Sequence, residues 1–159
     1  MRKYACENDM NDKSAISAFQ IEVSGIMNAD PVLNGSCQFL AENIRDIDFQ
    51  IRRALGKQGI VAVVMTPTLV YRGKDDETTW WDAVDAEIDI TENPTVSRGT
   101  ASPNVMTAQD VACRVMQILG QPGLGHAGDF CPKKIETSEW EGLLLSKVTF
   151  DSFVRIPKE

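Results

Sequence analysis

The fold class follows from a stretch of alternating residues near the middle of the chain, Trp81-Asp82-Ala83-Val84-Asp85-Ala86-Glu87-Ile88-Asp89-Ile90-Thr91-Glu92. From Val84 onward, apolar side chains at every second position alternate with polar ones, and this period of two is typical of a β-strand. One face suits a core. The other is a row of carboxylates, with Thr91 among them and no basic residue. Asn93-Pro94 then ends the pattern, as a turn dipeptide does.

Upstream of this strand, two helical patterns precede a continuous apolar run. Apolar residues at helical spacing predict one helix from Ser14 to about Met27, and a second from Leu40 to Leu55 that breaks near Arg45–Asp48. Gly56 and Gly59 end the second helix. The run 60–65 predicts a strand buried on both faces. Residues 68–72 either extend that strand beyond Pro67 or pair beside it, and 74–79 form a charged loop.

Downstream, a long loop over 94–104 leads to the clearest helix of the chain. Thr107 and Asp110 resemble a capping box, and a buried stripe of apolar residues runs from Val111 to Leu119 before Gly120 and Pro122. A glycine-rich loop over 120–132 follows, and the last two strands, 135–139 and 143–156, turn at Glu141-Gly142. This order predicts an α+β fold, a mixed but mainly antiparallel sheet with helices packed on one face.

The totals favour one domain and exclude several classes of protein. The chain has 159 residues, which we divide into a frayed or disordered segment 1–12 and a single α+β domain 13–159. A net charge of −7 argues against sequence-specific nucleic acid binding, which needs clustered Lys and Arg. No apolar run is long enough to span a membrane, and no signal-peptide pattern follows the N-terminus.

The four cysteines show no pattern of a disulfide framework or a zinc site. Cys6, Cys37, Cys113 and Cys131 are scattered, without a paired spacing, and are interpreted as reduced thiols of a cytoplasmic protein. Cys113 falls on the apolar face of its helix, so we expect it to be a small buried hydrophobe.

The single histidine, His126, lies in the glycine-rich loop close to Asp129 and Cys131. A cysteine–histidine pair can carry nucleophilic catalysis, but no nucleophile elbow or oxyanion element accompanies this one, so an exposed loop histidine is favoured. Residues 123–128 match the dinucleotide pattern GxGxxG. That fingerprint follows a strand and opens a helix, whereas this loop follows a helix, so we interpret the match as chance.

Two further features are weighed as binding elements. The carboxylates Asp82, Asp85, Glu87 and Asp89 are spread along a strand without a loop to wrap a cation, so a solvated or lumen-facing strand is favoured over a metal site. Trp80-Trp81 is unusual, since aromatic residues are enriched at the centres of interfaces. For at least one of the two, a structural role as a core or rim anchor of the sheet is favoured, and the same interpretation is kept in view for Tyr71 and Trp140.

Several short strings together resemble the tail terminator, or tail-to-head joining, proteins of tailed bacteriophages and prophages. The resemblance covers roughly 38–156 and rests on element order with the strings GIVAVVMTP at 59–67, ENP at 92–94, SRG at 97–99 and TAQDVA at 107–112. It implies a structural, non-enzymatic subunit without cofactors that forms a ring, commonly a hexamer, on the tail tube. Its partners would be other copies of itself, the tube and head-completion proteins, in the host cytoplasm during assembly and then in the virion.

Under this resemblance, function is carried by surfaces rather than by a catalytic centre. The carboxylate face of 84–92 would line a lumen that does not grip DNA, because negative charge repels phosphate. The contact surfaces would include the loops 74–79, 94–104 and 120–132, and the candidate interaction residues are Trp80, Trp81, Asp85, Glu87, Asp89, Arg98 and His126. Two alternatives stay open, another neck or tail-assembly component and, in a different class, a small ligand-binding or Cys/His hydrolase domain that uses His126 and Cys131.

Overall fold

The computed structural model describes residues 2–99, 106–122 and 130–157, and side chains from 16 to 153 within these ranges. The described elements follow the chain in this order: α1 Arg2–Ala29, β1 Gln38–Ala41, α2 Ile47–Gln58, β2 Ile60–Val64, β3 Thr68–Lys74, β4 Thr78–Glu92, α3 Pro94–Ser97, α4 Ala108–Leu119, β5 Cys131–Trp140 and β6 Leu143–Pro157. The predicted α+β class is confirmed.

One mixed sheet organises the molecule. Its order is β1-β2-β4-β6-β5, with β3 paired to the remaining length of β4. β1 and β2 are parallel, and every other pairing is antiparallel. The central ladder joins β4 and β6 from Glu92↔Leu144 at one end to Thr78↔Pro157 at the other. Because these two strands outrun their neighbours, β2 flanks one half of β4 and β3 flanks the other half.

The main core lies between one face of the sheet and the helices α1 and α4. Its buried side chains come from both helices and from alternate positions of the strands: Phe19, Val23, Met27, Ile60, Ala62, Val64, Ala86, Ile88, Ile90, Val111, Val115, Leu119, Val148 and Phe150. The predicted capping box of α4 is confirmed, with Asp110 N donating to Thr107 Oγ1 at 3.2 Å and Thr107 N to Asp110 Oδ2 at 3.0 Å. The predicted apolar stripe of α4 is buried throughout.

A smaller cluster packs α2 on the opposite face of the sheet, so the helices do not all share one face. Leu40, Val61 and Ala54 form it, with Ile47, Ile51 and Leu55 packed against them. Val61 alternates with Ile60 and Ala62, and a strand buried on both faces must be covered from both sides. The prediction of a strand buried on both faces is therefore confirmed for Ile60–Val64, whereas Met65 lies beyond the strand and is half-buried. The helix α2 covers the second face.

Some predicted element boundaries are wrong. The first helix begins at Arg2 rather than Ser14, while the predicted fraying of 1–12 concerns dynamics and stays a prediction. Leu40 belongs to β1 rather than to the second helix, and α2 begins only at Ile47, after Asp46 in the left-handed conformation (φ 57°). β5 begins at Cys131 rather than residue 135. Of the two alternatives for residues 68–72, extension of the preceding strand is confirmed: after the interruption at 65–67, β3 continues along the same edge of β4 in the same antiparallel register as β2.

The loops are also shorter than predicted. Strand residues reach Lys74 and resume at Thr78, so only residues 75–77 connect β3 and β4. The predicted loop 94–104 contains α3, whose first turn is capped by the Asn93 side chain accepting from Thr95 N at 3.2 Å. Residues 100–105 and 123–129, which carry the rest of that loop and most of the glycine-rich loop, lie outside the described residues.

Candidate functional site

The alternation of inward-facing and outward-facing side chains is not continuous along the acidic strand, because a β-bulge interrupts β4. Ala83 pairs with Ser152 and Ala86 with Phe150, so Val84 and Asp85 together oppose the single residue Asp151. Asp85 takes a positive φ of 52° there. The bulge turns Val84 out of the core to 37% exposure, so its predicted place on the core face is wrong.

A second bulge, in β5, lies beside the first and the two are joined by an ion pair. Lys133 is the extra residue between the pairs Pro132↔Phe150 and Lys134↔Thr149. Its Nζ lies 2.6 Å from Asp85 Oδ1 and 3.7 Å from Asp151 Oδ1, while Asp85 N donates to Asp151 Oδ1 at 2.9 Å. The hydrogen bond from Lys133 lowers the pKa of Asp85. This predicted site carboxylate is therefore a paired, exposed group.

Beyond the bulges, the regular part of β4 carries Glu87, Asp89 and Thr91 on the face opposite to α1 and α4. Lys147 Nζ lies 3.8 Å from Glu87 Oε2, and Lys134 Nζ lies 2.9 Å from Glu136 Oε1. Lysines of β5 and β6 thus offset the row of carboxylates that has no basic residue in its own strand. We call this polar surface, formed by Glu87, Asp89, Thr91, Lys134, Glu136, Ser138 and Lys147, the open face.

Asp89 is the least well solvated carboxylate of the open face. Its Oδ1 is buried and has no hydrogen-bond partner among the described residues. Burial, followed by the charge of Glu87, raises the pKa of Asp89, and the charge of Lys147 opposes them. The depression beside Asp89 has a volume of about 380 Å³ and is lined by residues of β4, β5 and β6. The open face is thus shaped as a shallow polar trough.

Glu92 does not belong to the polar face on which the sequence placed it. It shares the phase of Ile88 and Ile90, is fully buried, and its carboxylate lies where the chain leaves β4. Ser97 Oγ donates to it at 2.5 Å, Arg98 Nε at 3.1 Å and the backbone N of Ala108, in the first turn of α4, at 2.8 Å. Burial raises the pKa of Glu92, but these hydrogen bonds together outweigh it and the net pKa is lowered.

This Glu92 cluster was missed in the sequence, although a signal for it was present. Two residues of spacing from Ile90 place Glu92 on the core face. Arg98, predicted as an interaction residue, donates its Nε–H to Glu92 in this cluster, although 53% of its side chain is exposed. The cluster fixes α3 and the start of α4 to the end of β4, which is a structural role.

At the other end of the central ladder, three strands continue the sheet beyond the end of β2. β3, Thr78–Ala83 of β4 and Ser152–Pro157 of β6 form this extension, which we call the arm. Trp81 packs against the main core from it, stacks edge-on with Tyr71 at 5.2 Å between ring centroids, and its Nε1 donates to Thr79 Oγ1 at 3.1 Å. Both Trp81 and its neighbour Trp80 are half-buried. Trp81 is thus in large part a structural residue of the sheet.

The outer side of the arm is apolar and exposed. Val70, Asp82 and Phe153 are neighbours across the three strands, and Arg72 forms an ion pair with Asp82. Val70 is 47% and Phe153 is 44% exposed, and Val84 adds to them. We call Val70, Val84 and Phe153 the arm patch. A cleft of about 170 Å³ runs beside it, and Cys131 at the start of β5 also lines that cleft.

The predicted site residues therefore do not converge on one centre. Trp80 and Trp81 lie in the arm, Asp85 at the bulge, Glu87 and Asp89 on the open face, and Arg98 beside α3. His126 and Asp129 lie outside the described residues, so their relation to Cys131 stays a prediction. Cys113 is exposed on α4, which contradicts the prediction that it is buried.

The part of the chain that the structure describes contains neither a metal centre nor a membrane-spanning helix. No group of three or more His, Cys, Asp or Glu side chains within 2–99, 106–122 and 130–157 is placed to hold a metal ion. None of the helices in those ranges is long and apolar enough to span a membrane. What the described surface offers is the open face, the arm patch and the exposed Trp140.

Comparison with known proteins finds the fold but no family. No family model matches the sequence, and no curated protein matches it either. Among solved structures, the chain is similar to one from a particle described as the virion of a native gene transfer agent, with a TM-score of 0.54 and 12% identity. The match covers 89% of this chain and 97% of that one. At this identity the likeness shows a shared fold, over nearly the whole length of both chains.

Proposed function

We propose that this chain is a structural protein of a phage-like virion, of the tail terminator type, which caps the tail tube as a ring of identical subunits and joins it to the head side. The observation that carries the proposal is the fold shared with a chain of a gene transfer agent virion, over 89% of this chain and 97% of that one. The short strings that resemble tail terminators support the same assignment. A virion subunit acts through its surfaces, so this role is non-enzymatic.

The distribution of exposed residues supports an assembly role. Large apolar side chains are exposed at separate places, including Phe49 on α2, the arm patch and Trp140 at 61% exposure. Apolar side chains exposed singly, such as Phe49 and Trp140, are common on protein surfaces, whereas clustered ones, as in the arm patch, are typical of protein–protein contacts. A ring additionally requires two different surfaces on each subunit, because a contact that repeats around a closed ring is heterologous.

The open face is the part of the molecule that we assign to the lumen of the ring. Its carboxylates Glu87 and Asp89 would face passing DNA together with Lys134 and Lys147, so the surface is zwitterionic rather than purely acidic. A surface of mixed charge gives phosphate no continuous basic track to bind. We therefore assign the open face to the lumen because its lysines are paired with carboxylates, and not because the whole face repels phosphate.

Immunogold labelling of particles from the source cell tests the proposal. An antibody against this chain, with pre-adsorbed antibody as the control, should label one spot at the junction of head and tail. Label elsewhere on the particle would favour the alternative of another neck or tail-assembly component. Purified particles that lack the chain by mass spectrometry would contradict a virion role altogether.

Light scattering with negative-stain imaging of the recombinant chain tests the ring itself. Closed rings of one fixed subunit number are expected, either free or after addition of tail tubes stripped of their terminator. Open filaments or aggregates of mixed size would contradict a closing contact.

A further inference from the structure

We propose that the exposed side of α2 docks on the turn between β3 and β4 of a second copy of this chain. We call the exposed residues Phe49, Arg52, Arg53, Gly56 and Lys57 the basic face, and residues 75–77 the acidic turn. The contact rests on the proposed ring, for which these two elements supply the pair of unlike surfaces. The partner of the basic face is thus a compact cluster of carboxylates, and this chain carries such a cluster itself.

The basic face is the side of α2 that lies away from the sheet. Ala54 packs in the smaller cluster on the sheet, whereas Arg52, Arg53 and Lys57 are exposed. None of these three cations forms an ion pair with a described residue. Asp48 is the one carboxylate on this side of α2, so the side is net positive on a chain of net charge −7. Unpaired, clustered cations on an acidic protein favour an acidic partner.

Gly56 is an unusual residue for the middle of an exposed helix side. It lies two turns from Phe49, beside the three cations. Glycine weakens a helix, and nothing in this chain lies within 4 Å of the position that its Cβ would take. No internal contact therefore requires a glycine there, whereas the missing side chain lets a partner's backbone approach the helix closely. This observation is independent of charge and points to a protein segment on the basic face.

The acidic turn is narrow and held in one shape. Asp75 N donates to Thr78 O at 2.9 Å, while Asp75 Oδ1 accepts from Glu77 N at 2.8 Å and from Thr78 N at 2.7 Å. Asp76 and Glu77 are exposed and form no ion pair with a described residue. Lys74 offsets only part of the negative charge. A rigid turn with two free carboxylates loses little entropy on binding and suits the guanidinium groups of arginine.

The positions of the two elements in the fold make this contact intermolecular. Lys57 lies close to the start of β2, where Ile60 pairs with Glu92 at one end of β4. The acidic turn precedes Thr78, at the other end of β4. The strand between them is about 40 Å long, so the turn cannot reach the basic face of its own chain. Such a head-to-tail contact propagates and closes into a ring when its rotation permits.

Nucleic acid phosphates are the other anions that clustered cations bind. The net charge of −7 opposes their approach, and a cluster of three cations neutralises few phosphates. The acidic turn instead presents carboxylates on a narrow backbone segment that fits the gap at Gly56. The charges and the gap together therefore assign the basic face to a second copy of the chain.

The first experiment is a concentration series by light scattering on the full chain. The double variants Arg52→Glu with Arg53→Glu, and Asp76→Lys with Glu77→Lys, should each weaken self-association about tenfold. A mixture of the two should recover most of the loss, because the acidic helix of one variant meets the basic turn of the other. Circular dichroism verifies that each variant folds. A wild type that stays monomeric, a double variant that assembles like wild type, or no recovery in the mixture overturns the proposal.

Two further variants separate the contact from net charge and from folding. Lys134→Glu with Lys147→Glu makes the same change of charge on the open face and should leave self-association unchanged. Gly56→Leu should weaken self-association about tenfold without lowering the free energy of unfolding, because the added side chain meets nothing in its own chain. Equal loss in the open-face variant, or full association of Gly56→Leu, overturns the proposal. So does duplex DNA bound by wild type and lost with Arg52→Glu and Arg53→Glu while self-association is unchanged.

A zero-length crosslink gives the contact directly. Carbodiimide, which joins an amine to a carboxylate, should link Lys57 to Asp76 or Glu77 in concentrated recombinant protein. A mixture of isotope-labelled and unlabelled chains shows by mass spectrometry that the two peptides come from different copies. No such link, or links within one copy only, overturns the proposal.

The outcome is separable from the proposed function. Gold label at the head–tail junction, together with charge variants that associate like wild type, leaves the terminator role and rejects the contact. The crosslink between copies without virion label does the reverse.

Discussion

Glu92 shows how one buried carboxylate can organise the end of a strand. Its side chain is removed from solvent, and an isolated charge there would be costly. Three donors from Ser97, Arg98 and Ala108 satisfy it, and one of them is a backbone N–H at the start of α4, where the helix dipole also favours negative charge. These donors thus stabilise the ionised form of Glu92. Through them, the carboxylate ties three chain segments together.

Replacement of Glu92 by glutamine should cost much more than its small change in shape suggests. Glu92→Gln leaves the Arg98 guanidinium without its partner and turns one acceptor into a donor, so we expect a loss of about 2–4 kcal/mol in the free energy of unfolding. Urea titration measures it. The matched control is Glu87→Gln on the open face, where the expected change is below about 0.5 kcal/mol. Equal losses in both variants would contradict the role of the Glu92 cluster.

Gly59 is required by both its conformation and its surroundings. It ends α2 with φ 78°, and a Cβ built on it would lie 2.3 Å from Ser97 N. Gly59→Ala should therefore destabilise the protein by more than about 2 kcal/mol, because strain and overlap add. Gly56→Ala, within the same helix and facing open space, should instead stabilise it by about 0.5–1 kcal/mol. Thermal unfolding of the pair checks both signs, and a shared sign would contradict the explanation.

The thiols should differ in reactivity according to their burial. Cys37 is buried, which raises the pKa of its thiol, whereas Cys113 and Cys131 are exposed. Because the thiolate is the reactive form, iodoacetamide in native protein at neutral pH should leave Cys37 unmodified while it slowly labels the other two. Peptide mass spectrometry reads out each site. Rapid, selective labelling of Cys131 would instead favour the hydrolase alternative.

At the scale of elements, an ion pair joins the turn that follows the long helix α1 to the middle of α4. Arg114 Nη2 and Nε lie 2.7 and 3.1 Å from the two carboxylate oxygens of Asp30, whose Oδ2 also accepts from Leu33 N at 3.1 Å. The hydrogen bond from Arg114 is the largest cause of the lowered pKa of Asp30. The pair fixes the turn after α1 against the helix that packs beside it.

Removal of this tie should loosen α1 at neutral pH more than at low pH. Asp30→Asn should lower the free energy of unfolding by about 1 kcal/mol, with Arg114→Gln similar and the double variant no worse than either. The folded pKa is depressed, so the contribution is present above the unfolded value of about 4 and is lost as pH falls through the folded value. A double-mutant cycle by urea unfolding measures the coupling. Fully additive losses would show that the two residues act separately.

The elements that were predicted well from the sequence are those whose local pattern and tertiary environment agree. The apolar run of β2 and the capped, striped α4 needed no information from elsewhere in the chain. β1 was missed because Leu40 continues the three- and four-residue spacing of the following helix, and only pairing with β2 makes it a strand. In the same way, the faces on which the arm residues lie depend on the pairing of β3, β4 and β6, which no local pattern reveals.

The bulge in β4 explains why alternation predicts the side-chain faces of the acidic strand correctly only from Ala86 to Ile90. Alternation predicted the faces of Ala86, Ile88 and Ile90, but nothing local marks Val84-Asp85 as an extra residue against β6. Its register depends on Asp151 and Lys133, which lie far along the chain. The candidate surfaces share this property: the arm patch joins three strands, and no single stretch of sequence contains it.

For the molecule as a whole, the ionised carboxylates should make the fold sensitive to acid. The pKa values of Asp30, Asp85, Glu92 and Glu136 are lowered by hydrogen bonds from cationic, hydroxyl or backbone N–H donors, against a raised pKa for Asp89. Between the folded and unfolded pKa values of the first four, the unfolded chain binds more protons. The free energy of unfolding should therefore fall with pH below about 5. Relief of repulsion at a net charge of −7 opposes this fall, but acts over longer, screened distances.

Asp89 carries the opposite sign and therefore tests the linkage within the same protein. Its raised pKa means that ionisation on the open face costs stability at neutral pH, and that this cost disappears as the group becomes protonated in acid. Asp89→Asn should consequently be more stable than wild type at pH 7, and the advantage should shrink as pH falls through the folded pKa of Asp89. Urea unfolding of both proteins from pH 7 to pH 3.5 gives the two curves. Curves that stay parallel would show that Asp89 is as well solvated when folded as when unfolded, and that the trough beside it is open to water.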